Sequence, residues 1–125
     1  MLLVASTTSD SGKSTVTALL VRVLEGFPFK AQNMSLNSFP TRDWGEIAFA
    51  QAFQAMASGL EPRREMNAVL LKPSGWNRVE VIKYGEPLGV FSYDYYYSRV
   101  VPKVRREITL RDDMVIEGAG GIEPN

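Results

Sequence analysis

Hydrophobic positions along the chain fall into short runs, set apart by polar and glycine-marked segments. Leu2 to Ala5 is a short apolar run of the kind a buried parallel strand requires. A small, hydroxyl-rich loop follows, Ser6-Thr7-Thr8-Ser9-Asp10-Ser11-Gly12. Ser14 to Leu24 has helical spacing, with Val16, Leu19, Leu20 and Val23 on one face, and Gly26 marks its end. Phe27 to Ala31 reads as a second short strand, although Pro28 inside it counts against that reading. Asp43-Trp44-Gly45-Glu46 resembles a capping box, and predicts a helix through Ile47, Ala50, Phe53 and Met56-Ala57 to Gly59. Asn67 to Leu71 is another apolar run, closed by Lys72-Pro73. Val79, Val81 and Ile82 predict a strand before Gly85. Tyr93 to Glu107 reads as helical, with Pro102 as an internal break. Met114-Val115-Ile116 is the last apolar run. Strands alternating with helices predict an α/β layered fold with a mostly parallel sheet.

Composition narrows the chemistry. With 125 residues the chain is expected to form a single domain, residues 1–125. Lysine and arginine together number 14, as do aspartate and glutamate, so charge gives no case for nucleic acid or an anionic membrane as partner. No apolar run reaches the ~18 residues of a membrane span, and the start lacks the basic segment of a signal peptide. The chain has no cysteine and no histidine. Thiolate nucleophiles, Cys/His zinc sites and histidine general bases are therefore excluded within it. The absence of cysteine suits the cytoplasm, which is the expected location.

Three segments carry candidate chemistry. The first is strand, small-residue loop, Gly12-Lys13-Ser14-Thr15, helix. Phosphate oxygens need several donors close together, and backbone amides of a small-residue loop at a helix N-terminus supply them. Lys13 is placed to reach the β/γ-phosphates and the Ser14 hydroxyl to bind Mg²⁺. Thr7 stands where the GxxxxGK[ST] pattern asks for glycine. The second segment is Val115-Ile116-Glu117-Gly118-Ala119-Gly120-Gly121, a carboxylate just beyond a buried strand, at the sheet edge where such folds bind ligands and hard cations. The third is Phe29-Lys30-Ala31-Gln32-Asn33-Met34-Ser35-Leu36-Asn37-Ser38, one lysine followed by amides and hydroxyls with no carboxylate. It suits an anionic ligand; by composition alone a solvated loop is the plainer reading. Glu46 also reads as a capping carboxylate, Lys72-Pro73 as a strand terminator, and Tyr93, Tyr95, Tyr96 and Tyr97 as packing residues.

The third segment strongly resembles the hallmark stretch of the cobyric acid synthase family. Gly45-Glu46-Ile47, Ala50-Gln51-Ala52, Gly59-Leu60-Glu61-Pro62, Met66-Asn67, Val69 to Pro73 and Val115 to Gly120 follow in that family's order. The resemblance implies a P-loop NTPase-like, three-layer α/β fold similar to dethiobiotin synthetase. It implies ATP-dependent amidation of the carboxylates of a corrinoid, adenosylcobyrinic acid a,c-diamide, through an acyl phosphate. By the same resemblance Lys13 and Lys30 are the catalytic cations, and Thr8, Ser9, Gly12, Lys13, Ser14 and Thr15 bind ATP. Ser14, Glu46 and Glu117 lie around Mg²⁺, and Gln32, Asn33, Ser35 and Asn37 meet the substrate.

The chain departs from the family in places. Ser6 stands where the family loop begins with glycine, Trp44 replaces a small residue, and the stretches Leu24–Phe29 and Lys103–Asp112 are short. The family domain continues past the equivalent of Asn125 and is followed by a Cys-His-Glu glutaminase domain. This chain is thus expected to be incomplete relative to the family. Its ammonia must come from a separate glutaminase or from solution, and a homodimer or partner chain is expected to cover exposed sheet. Two other readings stand beside the ligase: a non-catalytic remnant or nucleotide-binding subunit that needs a partner, and a partition-type ATPase. The absence of lysine from Ser6 to Ser11 counts against the latter.

Overall fold

The structure, a computed structural model, describes residues 1–5 and 13–118. In chain order its elements are β1 (Leu2–Val4), α1 (Lys13–Leu24), β2 (Phe27–Met34), β3 (Ser38–Pro40), β4 (Glu46–Ala48), α2 (Phe49–Ala57), β5 (Asn67–Pro73), β6 (Arg78–Lys83), β7 (Glu86–Ser92), α3 (Tyr93–Tyr95), α4 (Val101–Glu107) and β8 (Met114–Glu117). Six strands form one sheet in the order β1-β8-β2-β5-β6-β7. The three pairings from β1 to β5 are parallel; β5–β6 and β6–β7 are antiparallel. The expected α/β fold with a mostly parallel central sheet is present.

The last described strand lies inside the sheet, not at its edge. Leu2 pairs with Val115 and Val4 with Glu117 on one side of β8, while Phe27 pairs with Met114 and Phe29 with Ile116 on the other. All four residues of β8 are buried, as strands of parallel sheets covered on both faces are. Pro28 does not weaken β2, which runs three residues beyond the predicted Ala31. Phe27 donates its backbone N–H to Asp113 on the β8 side. Successive N–H groups alternate in direction, so position 28 faces the β5 side, where the ladder begins only at Lys30 and Asn67. The missing N–H of Pro28 therefore costs no ladder bond.

Two sheet faces are covered. Gln32 and Asn33 are adjacent on β2 and so point to opposite faces. Asn33 meets Gln51 of α2, and Gln32 meets Tyr96, which follows α3. The Tyr93–Glu107 segment is helical as expected. A wide turn, Tyr96–Val100, precedes Pro102, which sits in the first turn of α4 where its absent N–H is tolerated.

Three sequence expectations are corrected. Asp43 to Glu46 does not start a helix. It closes a β3–β4 hairpin in which Phe39 pairs with Ile47, and α2 begins at Phe49 without a side-chain cap. The turn is fixed by Thr41, whose N–H donates to the Gly45 carbonyl and whose hydroxyl accepts from the Gly45 N–H. Arg64 packs over Gly45, where a Cβ would lie 2.7 Å from its Nε and push that side chain aside. The two helices also turn the other way from their hydrophobic pattern. In α1 the buried residues are Thr17, Ala18 and Val21, while Val16, Leu19 and Val23 are exposed and Leu20 is half-buried. In α2 the buried residues are Gln51, Ala52, Gln54 and Ala55, while Phe53 and Met56 are exposed. The buried positions of both helices thus carry small or polar side chains, apart from Val21, and the bulkier stripe faces outward. Finally, β7 went unpredicted because Pro87 and Gly89 interrupt its pattern.

Candidate functional site

The carboxyl ends of β2, β5 and β8 lie side by side, and polar side chains from them gather with α2. Glu117 closes β8 and is 2% exposed. Its two oxygens have different partners: Oε2 lies 2.7 Å from Lys30 Nζ, and Oε1 accepts a 2.9 Å hydrogen bond from Gln54 Nε2. Both the β8 and the β2 segments are thus bound at the level of their functional side chains. Lys13, at the start of α1, donates from Nζ to the Gly118 carbonyl at 3.0 Å. Residues of three segments separated in sequence therefore converge: Lys13 with Gly118, and Lys30 with Glu117.

A second polar group continues along β2. Asn33 Nδ2 donates to Gln51 Oε1 at 2.5 Å, and the Tyr96 hydroxyl donates to Gln32 Oε1. Burial, with a smaller contribution from Tyr97, raises the Tyr96 pKa well above its ordinary value and keeps the hydroxyl a donor. Asn67, at the start of β5, holds the frame together. Its Nδ2 donates to the Lys30 and Val69 carbonyls at 3.2 and 2.9 Å, and its Oδ1 accepts from the Ala48 N–H just before α2. One buried amide so fixes β2, β5 and the start of the helix that carries Gln51 and Gln54.

Glu46 belongs to a neighbouring cluster on β4. It accepts from Lys72 Nζ at 2.9 Å and from the Ser38 hydroxyl. Burial pushes its pKa up, but these two partners outweigh burial and hold the carboxyl below its ordinary value. After β2, the Ser35 hydroxyl accepts from the Asn37 N–H at 3.0 Å and the Asn37 carbonyl accepts from Phe49 N–H. That loop is thereby tied to the start of α2, with the Asn37 side chain exposed.

Of the residues singled out from sequence, the structure brings Lys30 and Glu117 together and sets Lys13 beside the same strand end. It pairs Glu46 with Lys72 instead. Gln32, Asn33, Ser35 and Asn37 occupy the end of β2 and the loop after it, but Gln32 and Asn33 leave on opposite faces. Thr15 is exposed on α1. Thr8, Ser9 and Gly12 lie outside the described residues, as does the side chain of Ser14. Gln51, Gln54, Asn67 and Ser38 were missed. The signal for the glutamines was present in the sequence: Gln51 and Gln54 are three apart, flanked by Ala52 and Ala55, a small-and-polar stripe able to face a polar sheet edge.

The donor set fits a phosphorylated ligand with a hard cation. Glu117 offers a carboxylate, the oxygen donor type that such a cation takes. Among the described residues no group of three acidic side chains forms a closed metal cluster. Lys13 and Lys30 bring positive charge to the same strand end.

Known proteins resemble this chain closely. The cobyric acid synthase of Streptomyces coelicolor is 49% identical over 95% of this chain, covering 26% of its own length. The probable cobyric acid synthase of Archaeoglobus fulgidus is 48% identical over 97% of the chain and 29% of its own length. The cobyric acid synthase of Carboxydothermus hydrogenoformans is 50% identical over 91% and 26%. The chain thus spans little more than a quarter of the length of these curated relatives. No solved structure matches it significantly. The CbiA family, described as the CobQ/CobB/MinD/ParA nucleotide binding domain, matches residues 2–120. By that match, over nearly all of its length, the chain belongs to the CobQ/CobB/MinD/ParA nucleotide binding domain family.

Proposed function

We propose that this chain binds MgATP and serves the ATP-dependent amidation of corrinoid carboxylates in cobalamin biosynthesis, the reaction of a cobyric acid synthase. The observation that carries this reading is the convergence of Lys13, Lys30 and Glu117 at one end of the parallel strands. In this reading ATP supplies the phosphoryl group that activates a carboxylate of adenosylcobyrinic acid a,c-diamide, and Mg²⁺ neutralises charge on the phosphates. Lys13, with Thr8, Ser9, Gly12, Ser14 and Thr15, binds the phosphates, and Glu117, Ser14 and Glu46 serve the cation. Lys30 carries positive charge to the transferred group. Positioning and charge neutralisation of this kind account for most catalysis of phosphoryl transfer. Of the four residues assigned to the substrate, Asn33, Ser35 and Asn37 offer amides and a hydroxyl on the α2 side, whereas Gln32 lies on the other face against Tyr96. These 125 residues hold no cysteine or histidine, so in this reading the ammonia is released by groups outside them or comes from solution. The protein acts in the cytoplasm.

A second reading is a nucleotide-binding subunit that works only with a partner chain or a second copy. The exposed Val16, Leu19, Val23, Phe53 and Met56 on the outer side of α1 and α2 favour it. Calorimetric titration of the chain with MgATP, with Lys13→Ala as control, tests both. Saturable binding that the substitution abolishes is expected. Corrinoid amidation with added ammonia then identifies the ligase, binding without turnover identifies the subunit, and no binding by folded chain rejects both.

A further inference from the structure

The two oxygens of Glu117 are held by partners of unequal kind. Gln54 comes from α2, is fully buried, and reaches Oε1 with a neutral amide hydrogen. Lys30 reaches Oε2 with an ammonium at the end of a flexible stem, and its side chain is 16% exposed. A carboxylate can only accept, so the Gln54 Nε2 is the donor whatever else occupies the site. A divalent cation and an ammonium, by contrast, compete for the same oxygen lone pairs. Gln54 is anchored by a buried helix turn that also carries Gln51, which grips Asn33 on β2. Its neutral amide carries no net charge for an arriving cation to repel.

We propose that Gln54 is a positioning residue for Glu117: it fixes Oε1, so that Oε2 alone exchanges Lys30 for a divalent cation. Arrival of the cation then frees the Lys30 ammonium for phosphate without loosening the carboxylate. This rests on the nucleotide-and-cation reading above. Hydrogen-bond partners of metal-binding carboxylates orient them, and losing one weakens metal binding by about 10–100-fold.

The test is ATP affinity of the chain by calorimetry, with Mg²⁺ and with EDTA. For wild type, Mg²⁺ is expected to strengthen binding. Gln54→Met, close in size but without the donor, is expected to lose about tenfold of that Mg²⁺-dependent gain while its affinity in EDTA stays within about twofold, a pattern that mere loosening of the fold does not give. Full retention of the gain in a folded Gln54→Met overturns the proposal and leaves the nucleotide reading intact. Absence of any Mg²⁺-dependent gain in wild type overturns both. Should Gln54→Met not fold, nitrogen-15 spectra of wild type decide. On adding MgATP the Gln54 side-chain amide should keep its resonance while the Lys30 ammonium resonance moves. Movement of the Gln54 resonance to the position of a solvated amide refutes it.

Discussion

The two faces of the α1–α2 layer differ in a direction opposite to the usual one. The inner face carries Thr17, Ala18, Val21, Gln51, Ala52, Gln54 and Ala55, all buried, while the outer face carries Val16, Leu19, Val23, Phe53 and Met56, all exposed. An ordinary surface helix buries its bulky apolar stripe. Here the inner positions are set by what they touch: Gln51 and Gln54 serve the polar ends of β2 and β8, and the small residues between them allow the approach. These helices therefore bury the side chains that meet the strand ends and leave their bulkier apolar ones outside. The outer face is left with apolar area that the described residues do not cover.

The largest effect is expected at the inner face. Lys30→Ala leaves the nearly inaccessible Glu117 without its counter-charge, a loss of about 3–5 kcal/mol. Urea unfolding of Lys30→Ala and of Lys30→Ala/Glu117→Gln should show the double variant recovering most of that loss. A single variant within about 1 kcal/mol of wild type would mean that water or another cation already balances Glu117.

A paired substitution sharpens the contrast between the faces. Ala55→Leu forces extra volume into a fully buried site and is expected to cost about 1–3 kcal/mol. Phe53→Gln, on the next face of the same helix, is expected to change stability by no more than about 0.5 kcal/mol and to reduce self-association in sedimentation. Equal costs at the two positions would remove the distinction.

A smaller effect belongs to Glu46, at the margin of the layer. Its folded pKa is depressed by Ser38 and Lys72 against the upward push of burial. The stability it adds is therefore complete above the ordinary glutamate pKa and disappears as pH falls through the lowered folded value. Wild type should exceed Glu46→Gln in stability at neutral pH, and the two unfolding midpoints should converge under acid conditions. A gap that persists there would assign the difference to something other than the charge.

Much of this was legible in the sequence. The runs at Asn67, Val79 and Met114 are strands because a buried parallel or central strand needs consecutive apolar residues, and that pattern is local; the Leu2 run is a strand too, but an edge one with Leu2 and Leu3 exposed, not the buried one expected. The segment from Ser14 to Leu24 is helical as its spacing requires. The orientation of α1 and α2 was not legible, because hydrophobic periodicity weighs apolarity and not size or the pull of a distant carboxylate. Asp43 to Glu46 carries both a cap signature and turn residues. The pairing of Phe39 with Ile47, a tertiary fact, decided between them. Lys30 and Glu117 were named together only through family resemblance, and their 2.7 Å contact follows from the register of β2 against β8. Asn67 looked like the first residue of an apolar run, and nothing local announces that its amide joins three segments.

The position of β8 between β1 and β2 also governs the order in which the molecule assembles. Among the described residues β1 has no other neighbour in the sheet, so it waits unpaired until β8 is made. Its ladder then closes between residues as far apart as Leu2 and Val115, a contact of high sequence separation and correspondingly slow formation. The β5–β6–β7 meander, joined by short connections, has no such wait. Among the described residues Lys13 and Lys30 have their partners at Gly118 and Glu117, so the two lysines acquire those partners once β8 has been inserted.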